Sequence, residues 1–156
     1  MPNNFYETEP QPATPQVQNM PEPQPAPSEN TSSGQLVVSA FTASEVFPVV
    51  GATITVTGEN GTNENISETS DTDRSGISVV FTLPAPSASM SQEPTVAIPF
   101  AEYTVRVTHP QYFTAIIENV QVFDGILTQL PVSLIPLPEI PGDNTTNTVT
   151  IPRQNL

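Results

Sequence analysis

A chain of 156 residues has room for one ordinary domain that buries about two thirds of its unfolded surface, plus tails. Sixteen Asp and Glu stand against three arginines (Arg74, Arg106 and Arg153) and no lysine, for a net charge of −13. Nucleic acid and anionic membrane are therefore unexpected as partners, since both are bound through clustered cations. With no cysteine, disulfides, thiolate nucleophiles and cysteine-ligated metals are excluded.

The N-terminal residues MPNNFYETEP carry neither a basic segment nor an apolar run, so no secretory signal is expected. No apolar stretch approaches the roughly 20 residues of a membrane span. Residues 1–33 hold eight prolines, including Pro21, Pro23, Pro25 and Pro27, among Gln, Glu, Ser and Asn. This composition predicts a disordered, polyproline-rich tail. Pro12 and Pro15 form a PxxP, but ligands of that kind usually add a flanking cation, and none precedes Arg74, so the spacer reading is favoured.

From Gly34 the pattern changes to short β-branched runs of period two. Leu36, Val38 and Ala40 share one side of a strand over 35–41, and Ala52, Ile54 and Val56 alternate with Thr53, Thr55 and Thr57. Ile77, Val79, Phe81 and Leu83 predict a third strand. Tyr103, Val105 and Val107 predict a fourth, with Thr104, Arg106 and Thr108 outward. Further strands are expected over 113–118, 120–123 and 127–135; Pro131 inside the last argues for an edge position or a bulge. Glycines and prolines at Pro48, Gly51, Gly58, Gly61, Gly76 and Gly125 punctuate the runs. The 84–100 connection is long, with Met90, Val96, Ile98 and Phe100 as candidate surface anchors. After Pro138 the chain turns polar and is expected to fray, with 144–151 as an optional edge strand. The expected fold class is an all-β, seven-stranded Greek-key β-sandwich over 34–138, between a proline-rich tail (1–33) and a polar C-terminal tail (139–156).

PVVGATITVTG (48–58), TDRSGISVVFTLPAP (72–86) and YTVRVTHPQYF (103–113), in that order, resemble the carboxypeptidase regulatory-like domains, which have a transthyretin (prealbumin)-like fold. Residues 107–139 resemble more narrowly the end of the non-catalytic N-terminal domain of spore cortex-lytic pro-enzymes and related spore-associated proteins of Gram-positive bacteria. Gln111 stands where that family usually has glycine. The resemblance covers about 34–139. It implies a non-enzymatic accessory or structural module, spore- or cell-envelope-associated, whose partner is a protein or a cell-wall component. A cell-surface adhesin-type subunit is the alternative, and a stand-alone peptidoglycan hydrolase the less favoured one. Similar sandwiches, the collagen-adhesin B-type repeats, often close a Lys–Asn cross-link, which a chain without lysine cannot form.

Candidate chemistry is sparse. A hydrolytic zinc site needs two or three histidines with a carboxylate, whereas His109 is the single histidine and reads as a turn residue before Pro110. No GxSxG elbow occurs, and close acid pairs arise by chance among sixteen acids. The sequons at Asn30, Asn60, Asn65 and Asn144 are read as chance in a Thr- and Asn-rich chain. DTDRSG (71–76) places Asp71, Asp73 and Ser75 at EF-hand spacing, but the twelfth loop position falls on Thr82 within a predicted strand. A turn, with Asp73 accepting from backbone amides and Gly76 at positive φ, is favoured over calcium. No catalytic, metal or cofactor-binding residue is assigned. Edge strands at 127–135 and 144–151 are candidates for pairing with another chain.

Overall fold

The computed structural model describes residues 31–42, 46–59, 65–89, 98–138 and 145–154. The proline-rich segment 1–30 lies outside them, as do Met90 and Val96 of the long connection and the sequons at Asn30, Asn60 and Asn144.

Nine strands form two sheets among the described residues. They are β1 (Thr31–Thr42), β2 (Phe47–Pro48), β3 (Thr53–Gly58), β4 (Ser67–Asp71), β5 (Phe81–Pro86), β6 (Phe100–Thr108), β7 (Thr114–Phe123), β8 (Leu127–Ser133) and β9 (Thr146–Thr150). Sheet A is built around β1, with β8 parallel along one side and β5 and β2 antiparallel along the other. Sheet B has the order β4-β3-β6-β7-β9, antiparallel except for the β7–β9 pair. The inner faces meet in one core. Leu36, Val38, Phe81, Leu83 and Val132 contribute from sheet A, and Ile54, Val56, Tyr103, Val105, Val107, Ile117 and Val122 from sheet B. This is the arrangement that period-two alternation demands when one face of each sheet is removed from water.

Tyr103 is the largest fully buried side chain. Its hydroxyl donates to the carbonyl of Pro84 at 2.6 Å, tying β6 of one sheet to β5 of the other. Burial first, and the nearby Glu68 carboxylate second, push its phenol up to about 12. Gly34 marks another inter-sheet approach: a Cβ there would lie 2.2 Å from the Phe123 carbonyl oxygen and 2.6 Å from a Val122 methyl. Only a residue without a side chain lets β1 pass so close to β7.

The strand expected over 77–83 is displaced. Regular pairing with β1 occupies Phe81–Pro86, and Ile77 joins only by an isolated bridge to Ser39. The register slips by one residue between Leu36↔Phe81 and Ser39↔Ile77, the mark of a bulge. Ser78 sustains the ladder across the slip: its amide donates to Val38 O at 2.9 Å and its hydroxyl accepts from Val38 N at 3.0 Å. Phe81 and Leu83 therefore face the core as expected, while Ile77 and Val79 face outward with Ser78 buried.

Two strands, β2 and β4, lie outside the sequence expectation. β4, SETSD, has no apolar period, being an exposed edge that needs only backbone pairing with β3. The segments expected over 113–118 and 120–123 are one strand, β7, carrying a bulge at Asn119 (φ 60) opposite the shift between Tyr103 and Val105. Pro131 lies in β8, which pairs with β1 alone among the described residues, an edge position as expected.

The described C-terminal residues do not fray. β9 adds to β7, Ile151 N donates to Glu118 O at 3.0 Å, and the Ile151 side chain packs on the core. Arg153 then closes a bidentate pair with Glu102 at 2.7 Å for both contacts. The Glu102 side chain is 9% exposed against 54% for Arg153, so the strap end covers a carboxylate on the outer side of β6. A polar composition hid this, because the stabilising groups are backbone amides, one ion pair and a single apolar side chain, Ile151.

Candidate interaction faces

The residues singled out for chemistry are kept apart by the fold. In DTDRSG, Asp73 Oδ1 accepts from the amides of Ser75 (2.8 Å) and Ile77 (3.0 Å), and Gly76, at φ +73, returns its amide to Asp73 O at 3.0 Å. Asp71 points elsewhere, its Oδ1 accepting from Thr53 Oγ1 at 2.8 Å across the β3–β4 pair. Between them Thr72 is 5% exposed. Its hydroxyl donates to Val49 O at 2.7 Å and accepts from Ala52 N at 2.9 Å. The stretch is thus a turn whose side chains fasten the 49–52 loop.

His109 follows β6 and turns its ring edge to Tyr112, centroids 5.1 Å apart, while Nδ1 accepts from Gln111 N at 3.2 Å. With Gly51, Thr53, Thr108, Pro110 and Thr114 it borders a shallow groove of about 410 Å³. Of the two described anchors of the 84–100 connection, Ile98 is exposed and Phe100 is buried against Phe123, centroids 5.5 Å apart. Asn65 lies exposed in a turn before β4.

What the registers do bring together is the outer face of sheet B. One row reads Asp71, Thr53 and Thr108 on β4, β3 and β6 and is continued, one residue past the last β6–β7 pair (Val107 with Ala115), by Thr114 and Thr146 on β7 and β9, with Thr53, Thr108 and Thr114 bordering one groove; the next reads Thr69, Thr55, Arg106, Ile116, Thr148. A third reads Ser67, Thr57, Thr104, Glu118, Thr150, interrupted by the bulge at Asn119. Ten of these fifteen positions are threonine. The alternation of Thr53, Thr55 and Thr57 signalled one column in the sequence; the alignment of columns into rows depends on register, which alternation does not specify. Several hydroxyls donate within the face: Thr53 to Asp71, Thr69 Oγ1 to Thr55 Oγ1 at 3.4 Å, Thr150 to Glu118 at 2.9 Å, and Thr108 to Thr53 O at 3.4 Å. Arg106 stands on the middle strand of the middle row, exposed, its side chain with no hydrogen bond or ion pair among the described residues.

The outer face of sheet A differs. Val37, Ser39 and Phe41 of β1 lie between Gln129, Pro131 and Ser133 of β8 on one side and Ile77 and Pro48 on the other. None of these residues is charged. At one end of sheet A, Asp124 accepts from the Ser32 hydroxyl and, at 3.0 Å, from Ala88 N. These two bonds, Ser32 foremost, hold its carboxyl below the usual range.

No family model matches the chain, and no curated protein matches it. Among solved structures it is similar to the Bacillus anthracis TIE protein, at 19% identity and a TM-score of 0.44 over 68% of this chain and 17% of that one. It is also similar to a type II cohesin–X-dockerin complex from Acetivibrio cellulolyticus, at 23% identity and a TM-score of 0.31 over 67% of this chain and 56% of that one. This chain therefore spans less than two thirds of either.

Proposed function

We propose that the chain is a non-enzymatic accessory or structural module of a spore or cell envelope, working through contacts of its sheet faces with a protein or cell-wall component. The observation that carries this reading is the outer surface of the sandwich: one face without charge and the other dominated by threonine, in a chain of net charge −13. Of the acids at the threonine face, Asp71 and Glu118 in the rows and Glu59 beside them each accept from a threonine, and Glu102 is paired with Arg153.

The finer fold reading, a transthyretin-like domain of the carboxypeptidase regulatory-like kind, belongs to the same proposal. It is supported by the strands TITVTG and YTVRVT lying side by side in sheet B, with the Asp73–Gly76 turn leading from β4 toward β5. Fractionation of spores and vegetative cells with immunodetection tests the location: recovery with the spore or envelope fraction is expected, and recovery only in vegetative cytosol would overturn it. On peptidoglycan fragments no turnover is expected; turnover abolished by His109→Ala would replace the module with a hydrolase.

A further inference from the structure

Resting on that reading, we propose that the threonine face of sheet B binds an extended, polyhydroxylated chain bearing spaced carboxylates, an acidic polysaccharide, with Arg106 holding a carboxylate at the centre. The class follows from what the face offers. A hydroxyl has one hydrogen to give and two lone pairs to receive. Thr53, Thr69, Thr108 and Thr150 already spend their hydrogen within the face, which leaves acceptors for a donor-rich partner such as a sugar hydroxyl. The γ-methyls between them suit the C–H surfaces of sugar rings. Across the strands the rows repeat at about 4.8 Å, and along a strand like-facing residues repeat at about 6.7 Å, so the face suits an extended ligand.

Other partners fit poorly. A protein interface is anchored by aromatic, aliphatic and arginine side chains, and the rows offer only Ile116 and Arg106 of that kind. Nucleic acid needs several cations where there is one. A purely neutral polymer would leave Arg106 unused, whereas a guanidinium takes a carboxylate in a two-pronged, charge-assisted grip. The acidic chain does not forbid a carboxylated ligand. The acids at the face are engaged, Asp71, Glu118 and Glu59 each by a threonine and Glu102 by Arg153, and more distant ones are screened over about 8–10 Å at physiological salt. Without aromatic stacking each contact is weak, so binding depends on many contacts along a polymer.

The experiment uses the full chain with polygalacturonate, dextran and poly-glutamate as probes, by titration calorimetry. Polygalacturonate is expected to bind, dextran to bind far more weakly, and Arg106→Gln to lower the polygalacturonate affinity about tenfold or more. Thr55→Val with Thr148→Val is expected to weaken it further, with an unchanged urea midpoint showing that the fold is intact. Val79→Thr, in the segment that leads into β5 of the other sheet, is expected to leave it unaltered. Equal binding of poly-glutamate would reduce the effect to charge capture and overturn the proposal. So would absence of polygalacturonate binding, or binding indifferent to Arg106→Gln. If the wild-type protein and Arg106→Gln both remain in the spore or envelope fraction while polygalacturonate fails to bind, only the ligand is wrong; if the wild type is absent from that fraction, the module reading fails whatever the calorimetry gives.

Discussion

On one side of the sandwich Val37, Phe41 and Ile77 look outward in rows that hold no charged residue, while on the other the same kind of position holds Thr53, Thr55, Thr104 and Thr108 around a single arginine. Both faces obey one alternation, and both sheets bury β-branched residues against the same core. The contrast teaches that the inward half of the pattern is dictated by water while the outward half is free to be specified for contact. Threonine keeps the β-propensity of valine without the aggregation hazard of an apolar sheet. Sheet A, which carries that hazard, places Pro131 in β8 and Pro84 and Pro86 in β5, where proline blunts strand pairing.

The largest test of the comparison presses the two sheets apart. Gly34→Ala is expected to cost about 3 kcal/mol, since its Cβ would meet the Phe123 carbonyl and backbone must shift. Chemical denaturation reads this, and a loss under 1 kcal/mol would mean that the sheets are not held that close. Next, Thr72→Val keeps the shape but strips partners from Val49 O and Ala52 N; a loss of about 2–3 kcal/mol is expected. Arg153→Ala uncovers the Glu102 carboxylate. Because the arginine is half exposed, about 1–2 kcal/mol is expected, between surface and buried pairs.

A pH test probes the tie between the sheets. The Tyr103 phenol stays protonated up to about 12 in the fold, whereas an unfolded tyrosine ionises near 10. The folded value is the higher one, so its contribution is fully present below pH 10 and is lost as pH rises through 12. Melting temperature should fall across that window less steeply in Tyr103→Phe, a difference that thermal scans at stepped pH would show. The smallest effect belongs to the threonine face itself: Thr55→Val should change stability by no more than about 0.5 kcal/mol. A larger loss would mark that face as structural.

Much of this architecture was legible in the sequence because burial writes itself as a period of two. Leu36, Val38, Ile54, Val56, Val105 and Val107 are buried where alternation placed them. Ile77 and Val79 share the period of Phe81 and Leu83 yet face outward, because a one-residue slip, bridged by Ser78, inverts the phase of everything before Phe81. β4 left no apolar trace, and β9 is held by backbone pairing and by a pair joining residues 51 apart. The turn at Asp73 was readable since its chemistry is local. The threonine rows were not, since a row exists only once five strands have taken their registers.

The β1–β8 pairing has a consequence for how the molecule comes into being. The strand that forms the middle of sheet A is the first of the described strands, and its parallel neighbour starts late in the chain; the Ser32–Asp124 hydrogen bond at this junction joins residues 92 apart. Loop closure over such a distance comes late and slowly. During synthesis β1 must therefore wait, with one flank unpaired, until nearly the whole domain has left the ribosome, and refolding is expected in the milliseconds-to-seconds range of non-local β topologies.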